Sequence, residues 1–164
     1  NFTQTLRSSA DFVYKHSISV AILTAMISNQ MQLPEEEARA LITAALLYDF
    51  GYLYVPQSVL DKGDDLTESD LNFIQMNLER GYETIRPRYE ECELPKISLE
   101  IIQQMIFQGS QTLKIKEPAD NVKLLYDILK AADRFDRLTA MNINNPPVCV
   151  SLLCTVPVSY LYIF

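Results

Sequence analysis

Apolar residues recur along most of this chain at the three- and four-residue spacing of helices buried on one side. Phe12, Val13, Val20, Leu23, Ile27 and Met31 trace one such stripe, which predicts a first helix of roughly 20 residues. Leu33-Pro34 ends it. Pro34 followed by Glu35, Glu36 and Glu37 predicts a second start, because proline needs no partner there and carboxylates favour the positive end of the helix dipole. That helix runs through Ala38, Leu41, Ala45 and Leu47 into Tyr48-Asp49, and Gly51 is expected to stop it. Residues 52–66, with Pro56 and Gly63, suit a connecting loop holding one short helical turn. Thr67 is placed to N-cap a third helix, with Asp70 in the reciprocal position of a capping-box pattern, continuing to about Ile85. Ser98 with Glu100 predicts a fourth helix ending near Gln108-Gly109. Pro118 opens a fifth, with Val122, Leu125, Ile128, Leu129 and Ala132 on one face.

The pattern changes after Pro146-Pro147. Val148, Val150, Leu152, Leu153, Val156, Val158, Tyr160, Tyr162 and Phe164 follow with no charged residue after Arg137. This β-branched and aromatic content favours extended structure. Pro157 and the shortness of the segment argue against a membrane span. We therefore divide the chain into a helical domain at 1–145 and an apolar tail at 146–164, which needs cover from the domain, a partner copy or a neighbouring domain.

Composition narrows the function classes. A chain of 164 residues that is 48% hydrophobic can bury one real core. The net charge of -7 disfavours nucleic acid as a partner, since phosphate contacts need concentrated Lys and Arg. Cys92, Cys149 and Cys154 have no metal-ligand spacing and their odd number disfavours a disulfide framework, so a reduced, cytoplasmic setting is expected. A start at Asn1 with no signal-peptide pattern suggests a piece of a longer protein.

The stretch Leu46-Leu47-Tyr48-Asp49-Phe50-Gly51-Tyr52 resembles the Leu-Leu-His-Asp-Ile-Gly-Lys signature of the HD superfamily of metal-dependent phosphohydrolases. The run Val55-Pro56, then Val59-Leu60-Asp61-Lys62 and Leu66-Thr67, is similar to the continuation in the HD-GYP branch, a hydrophobic-Pro turn and then Ile-Leu-x-Lys-x-x-x-Leu-Thr. Upstream, His16-Ser17-Ile18-Ser19-Val20 resembles that branch's His-Ser-x-Arg-Val. Ile74 to Gly81 resembles Ile-x-x-His-x-x-x-Gly. Ala131-Ala132-Asp133-Arg134-Phe135-Asp136-Arg137-Leu138-Thr139 resembles Val-Ala-Asp-x-Phe-Asp-Ala-Leu-Thr. The resemblance covers residues 11 to about 140 and implies an all-α, HD-type bundle of about five to seven helices with an extended apolar C-terminal tail.

The family's chemistry, as the resemblance implies it, uses His and Asp side chains to hold two or more metal ions around a water that attacks phosphate. Three candidate ligands persist here: His16, Asp49 and Asp133. Tyr48 replaces the His of the His-Asp pair, Tyr52 the following Lys, Asn77 a later His, and Gln103 and Gln104 an adjacent His pair. Gln111, Thr112 and Leu113 replace a Gly-Tyr-Pro motif. His16 is the one histidine of the chain, so two metals of this family cannot be assembled. The trio can be a vestigial site for a single divalent Fe or Mn ion, or Asp49 and Asp133 can serve as caps, with His16 bonding one of them. We favour the second, and no cofactor. Tyr48, Tyr52 and Tyr54 either form an aromatic ligand pocket or fill the volume of a lost metal centre; we favour filling. Gln103 and Gln104 either close a hydrogen-bond network or lie on a solvated face.

The resemblance thus implies a non-catalytic HD-GYP-like signalling module that senses a small molecule, dimerises, or controls an attached domain. The alternative is a metal-dependent cyclic di-GMP phosphodiesterase with a reduced site. The expected partners are a second copy, attached or partner signalling domains, and a nucleotide ligand.

Overall fold

The computed structural model describes residues 9–108 and 115–140. Among them regular structure is entirely helical, as the periodicity predicts. Seven α-helices are present: α1 (Ser9–Gln30), α2 (Glu35–Leu47), α3 (Gln57–Leu60), α4 (Glu68–Ile85), α5 (Arg88–Glu91), α6 (Lys96–Phe107) and α7 (Asp120–Ala140). Two 3-10 turns, Phe50–Tyr54 and Gly63–Asp65, complete the order. The apolar tail, Gly109 and the segment around Thr112 lie outside the described residues, so the expected extended tail is not addressed by the fold.

The core is where α1, α2, α6 and α7 meet. Val20, Leu41, Ile101, Ile102, Leu125 and Leu129 are fully buried there, each worth about 1.5–3 kcal/mol relative to exposure. Ala21, Ala40, Ala44 and Ala45 are buried as well; small side chains at this seam let α1 and α2 approach closely. Thr24 and Ser28 are buried polar residues of α1, and each hydroxyl donates back to its own helix, to Ala21 O at 2.9 Å and to Thr24 O at 2.7 Å. Their burial therefore leaves no orphaned donor. The opposite face of α1 carries a solvent-facing stripe, Tyr14, Ile18, Ile22 and Met26, spaced four residues apart.

Several expectations need correction. Gly51 does not end α2 as a left-handed C-cap; Gly63 is the one described glycine with positive φ. Gly51 is instead buried within the 3-10 turn, pressed against α4. A Cβ on it would lie 2.4 Å from Leu78 Cα, and a Cβ on Gly81 would lie 2.5 Å from Gly51 Cα. The two glycines face each other because neither backbone leaves room for a methyl group. The helix assigned a start at Ser98 begins at Lys96. Ser98 sits inside the first turn, donating to Pro95 O at 2.6 Å and hydrogen-bonded to the Tyr89 hydroxyl at 3.0 Å. Met31 falls beyond α1 and is exposed. The capping box of α4 is as predicted, with Thr67 and Asp70 each bonding the other's backbone N–H.

Candidate functional site

Three elements converge on one polar centre. α1 contributes His16, the residues just past α2 contribute Tyr48 and Asp49, and one turn of α7 contributes Asp133, Asp136 and Arg137. The spacing of that last group, i, i+3 and i+4, puts all three on one helix face. Ion-pairing and hydrogen-bonding side chains cluster here because each element buries its apolar stripe in the core at the same level, which leaves the polar residue beside the stripe pointing inward.

His16 is buried and held by both ring nitrogens. Nδ1 lies 2.6 Å from Asp136 Oδ2; Nε2 lies 2.9 Å from Asp133 Oδ1, 2.8 Å from the Tyr48 hydroxyl and 3.3 Å from Asp49 Oδ2. Carboxylates only accept, so a doubly protonated ring donating from both nitrogens satisfies this arrangement. Burial opposes that charge, but the hydrogen bond to Asp133, the field of Asp49 and the hydrogen bond to Asp136 outweigh it. The imidazole pKa is raised despite the opposing charge of Arg137. Tyr48 donates its hydroxyl proton to Asp133 Oδ1 at 2.7 Å. Burial, then the charges of Asp49 and Asp133, hold this phenol far above its ordinary range, so it is neutral in the described arrangement.

Arg137 closes the centre. Its Nε donates to Asp133 Oδ1 at 2.8 Å and a terminal nitrogen reaches Asp49 Oδ2 at 3.3 Å. Burial pushes the Asp49 carboxyl up to about 6, with Asp133 adding to the rise and Arg137 and His16 restraining it. Burial also opposes ionisation of Asp133, but its hydrogen bond from His16, the charge of Arg137 and the bond from Tyr48 prevail, and its pKa is lowered. The ring of Tyr52 lies beside the guanidinium, with 5.8 Å between Arg137 Cζ and the ring centroid.

The candidate ligands His16, Asp49 and Asp133 are thus brought together, each offering a ligand atom within 4.8 Å of the others. In residue type they suit one divalent ion. Their hydrogen bonds compete with an ion for the same atoms. Asp133 Oδ1 already accepts from His16 Nε2, Tyr48 and Arg137 Nε at 2.7–2.9 Å, which exceeds the two lone pairs of one carboxylate oxygen. The trio offers the ligand set of one ion rather than of a metal pair, and an ion there would either displace the hydrogen bonds to Asp133 Oδ1 or use the other oxygen of that carboxylate.

The capping role expected for Asp49 is not found: it precedes the 3-10 turn but its side chain makes no cap bond. Asp133 lies in mid-helix. The expected bond from His16 to one of them is present. The three tyrosines do not form a pocket. Tyr48 fills the centre and Tyr52 lies at its rim, while Tyr54 turns toward α4, its ring 4.5 Å from Arg80 Cζ. Asn77 is buried but donates to Phe73 O of its own helix at 2.8 Å, away from the centre. Gln104 is buried, whereas Gln103 lines a separate groove with Tyr82, Arg86 and Lys96. Asp136 and Arg137 were missed as site residues from sequence. The available signal was their register behind Asp133, and an arginine four residues after a candidate ligand.

Among the described residues no helix is long and apolar enough to cross a membrane. No solved structure matches the chain. It is 30% identical over 76 residues to the cyclic di-GMP phosphodiesterase PA4108 of Pseudomonas aeruginosa, covering 46% of this chain and 18% of that protein. It is 36% identical over 67 residues to the cyclic di-GMP phosphodiesterase PdeB of Borreliella burgdorferi, covering 41% of this chain and 18% of that protein. Against the 3'3'-cGAMP-specific phosphodiesterase 3 of Vibrio cholerae it is 27% identical over 147 residues, 85% of this chain and 30% of that protein. The chain spans less than a third of each relative's length. The HD domain family matches residues 2–151, nearly the whole sequence. With an all-helical fold that gathers His16, Asp49 and Asp133 at one centre, the chain belongs to the HD-domain family.

Proposed function

We propose that this chain is a non-catalytic HD-family module in cyclic-dinucleotide signalling, one that responds to a ligand, a second copy or an attached domain without cleaving phosphate. The observation that carries this reading is the saturation of Asp133 Oδ1 by His16, Tyr48 and Arg137. Hydrolysis in this superfamily needs water activated by metal, and an ion using this oxygen would have to displace the hydrogen bonds it now accepts. The test is direct. The full chain, incubated with cyclic di-GMP or 3'3'-cGAMP and Mn²⁺ or Fe²⁺, is expected to yield no linear dinucleotide. Metal-dependent turnover abolished by His16→Ala would overturn the reading.

A second reading is a phosphodiesterase with a reduced metal site at His16, Asp49 and Asp133. The names of the relatives support it more than they support the first, since each is a cyclic-dinucleotide phosphodiesterase. The convergence of three ligand atoms within 4.8 Å also supports it. The same assay decides between the two, and calorimetric titration with cyclic di-GMP asks whether binding outlives catalysis. For the expected homodimer, the exposed α1 stripe of Tyr14, Ile18, Ile22 and Met26 is one apolar surface among the described residues that could pair. Sedimentation of wild type against Ile22→Glu tests it, and a monomeric wild type at micromolar concentration refutes it.

A further inference from the structure

We infer that Arg137 is a built-in cation that takes the place of a metal ion in this centre, and that its side chain is what closes a latent divalent-cation site. The inference deepens the non-catalytic reading and rests on it.

A buried pair of carboxylates needs compensating charge, because ionised groups removed from water are costly unless paired. Asp49 is 3% exposed and Asp133 is half-buried. A metal ion meets that need by contacting several carboxylates at once. Arg137 does the same geometrically: one guanidinium bridges Asp133 Oδ1 through Nε at 2.8 Å and Asp49 Oδ2 through a terminal nitrogen at 3.3 Å. These are two of the three side chains that could ligate an ion. The third, His16, lies 2.9 Å from the same Asp133 oxygen. The guanidinium is planar, permanently charged and forked, so it spans two separated acceptors with a fixed geometry that a lysine ammonium lacks.

The path of the side chain explains how it arrives there. Arg137 follows Asp133 by one helical turn on α7, and a side chain in a helix leans back over the turn before it. It leans toward Asp133 and, beyond it, Asp49. The guanidinium lies over the ring of Tyr52, at a position where the sequence pattern that this chain resembles carries a lysine. Alanine occupies the position of Arg137 in that same pattern. The arginine and the tyrosine are thus two departures that meet in space.

Removing the guanidinium should then do two things. It destabilises the fold by taking the shared cation away from Asp49 and Asp133, and it vacates the position between those two carboxylates that a divalent ion would occupy. Metal-free wild type, Arg137→Ala and Arg137→Lys are melted with and without Mn²⁺, and metal content is measured after dialysis. Wild type should take up no stoichiometric Mn²⁺ and keep its Tm. Arg137→Ala should melt lower and recover by roughly 5 °C in saturating Mn²⁺, with about one ion bound per chain. Arg137→Lys should melt between the two and bind no ion. Arg137→Gln, refolded in Mn²⁺, carries the same expectation as Arg137→Ala if the smaller variant aggregates. A wild-type chain that binds Mn²⁺ as fully as Arg137→Ala, without turnover of cyclic dinucleotide, overturns this inference and leaves the proposed function standing. Wild-type turnover overturns the proposed function itself. Variants that fold but ignore Mn²⁺ also refute the latent site.

Discussion

Replacing Gly81 by alanine tests the packing that holds Asp49 in place, because two effects of opposite sign compete. Gly81 lies inside α4, where alanine is intrinsically the better helix former by about 1 kcal/mol. From propensity alone, Gly81→Ala should stabilise the protein. However, the new Cβ would lie 2.5 Å from both Cα and N of Gly51 and 3.3 Å from Phe50 C. The nearest atoms are backbone, which cannot swing aside. Ordinary van der Waals contact would require the 3-10 turn and α4 to separate by about 1 Å, forfeiting much of the dispersion energy across that face. Overpacking of this kind costs about 1–3 kcal/mol, and more where backbone must move. We therefore expect a net loss of about 1–3 kcal/mol and a Tm lowered by roughly 2–10 °C. Thermal unfolding followed by circular dichroism measures it. Gly63→Ala is the informative control: at φ +52° with no atom within 4 Å of a new Cβ, it should lose about 1 kcal/mol from backbone strain alone. A Gly81→Ala protein that melts at or above wild type would refute the close crossing of Gly51 and Gly81.

Tyr48→Phe removes one of three donors from Asp133 Oδ1 and should cost about 1–3 kcal/mol in urea unfolding; an unchanged midpoint would mean that the hydroxyl is not engaged. Asp49 has a folded pKa raised to about 6 from an ordinary 3.8, so its contribution is fully present below the lower value and is lost as pH rises through about 6. The stability difference between wild type and Asp49→Asn should accordingly shift against wild type between those two values, and a flat difference contradicts the assignment. His16 also has a raised pKa, so its contribution is complete below 6.5 and disappears as pH climbs through the higher folded value. Wild type should lose stability on that alkaline limb, and His16→Gln should not.

The fold was largely legible because helical periodicity and punctuation are local signals. The stripe of α7 from Val122 to Ala132 is buried as read, and the capping box at Thr67 depends on residues only three apart. Gly51 shows where local reading ends. After a helix, a glycine suggests a left-handed cap, but this one is required by α4, whose sequence lies thirty residues away. The centre divides in the same way. His16, Asp49 and Asp133 were recognisable by motif spacing, and the structure brings them together. Arg137 was not, since a charged residue near a helix end usually means a solvated face or favourable placement by the dipole. Its function depends on Asp49, 88 residues distant, and no window along the chain contains both.

The placement of Asp133, Asp136 and Arg137 on a single turn of α7 has a mechanical consequence. All three clasp groups borne by α1 and the end of α2, and His16 is gripped from both sides of its ring at 2.6 and 2.9 Å. Side chains stand about 5 Å from a helix axis, so a twist of about 20° would carry their tips roughly 2 Å. Hydrogen bonds do not tolerate that displacement. A rotation of α7 about its own axis would therefore break the clasp at once and not slide it. Torque applied at either end of that helix would be registered at one imidazole, and the ¹⁵N resonances of His16 are the place to observe it.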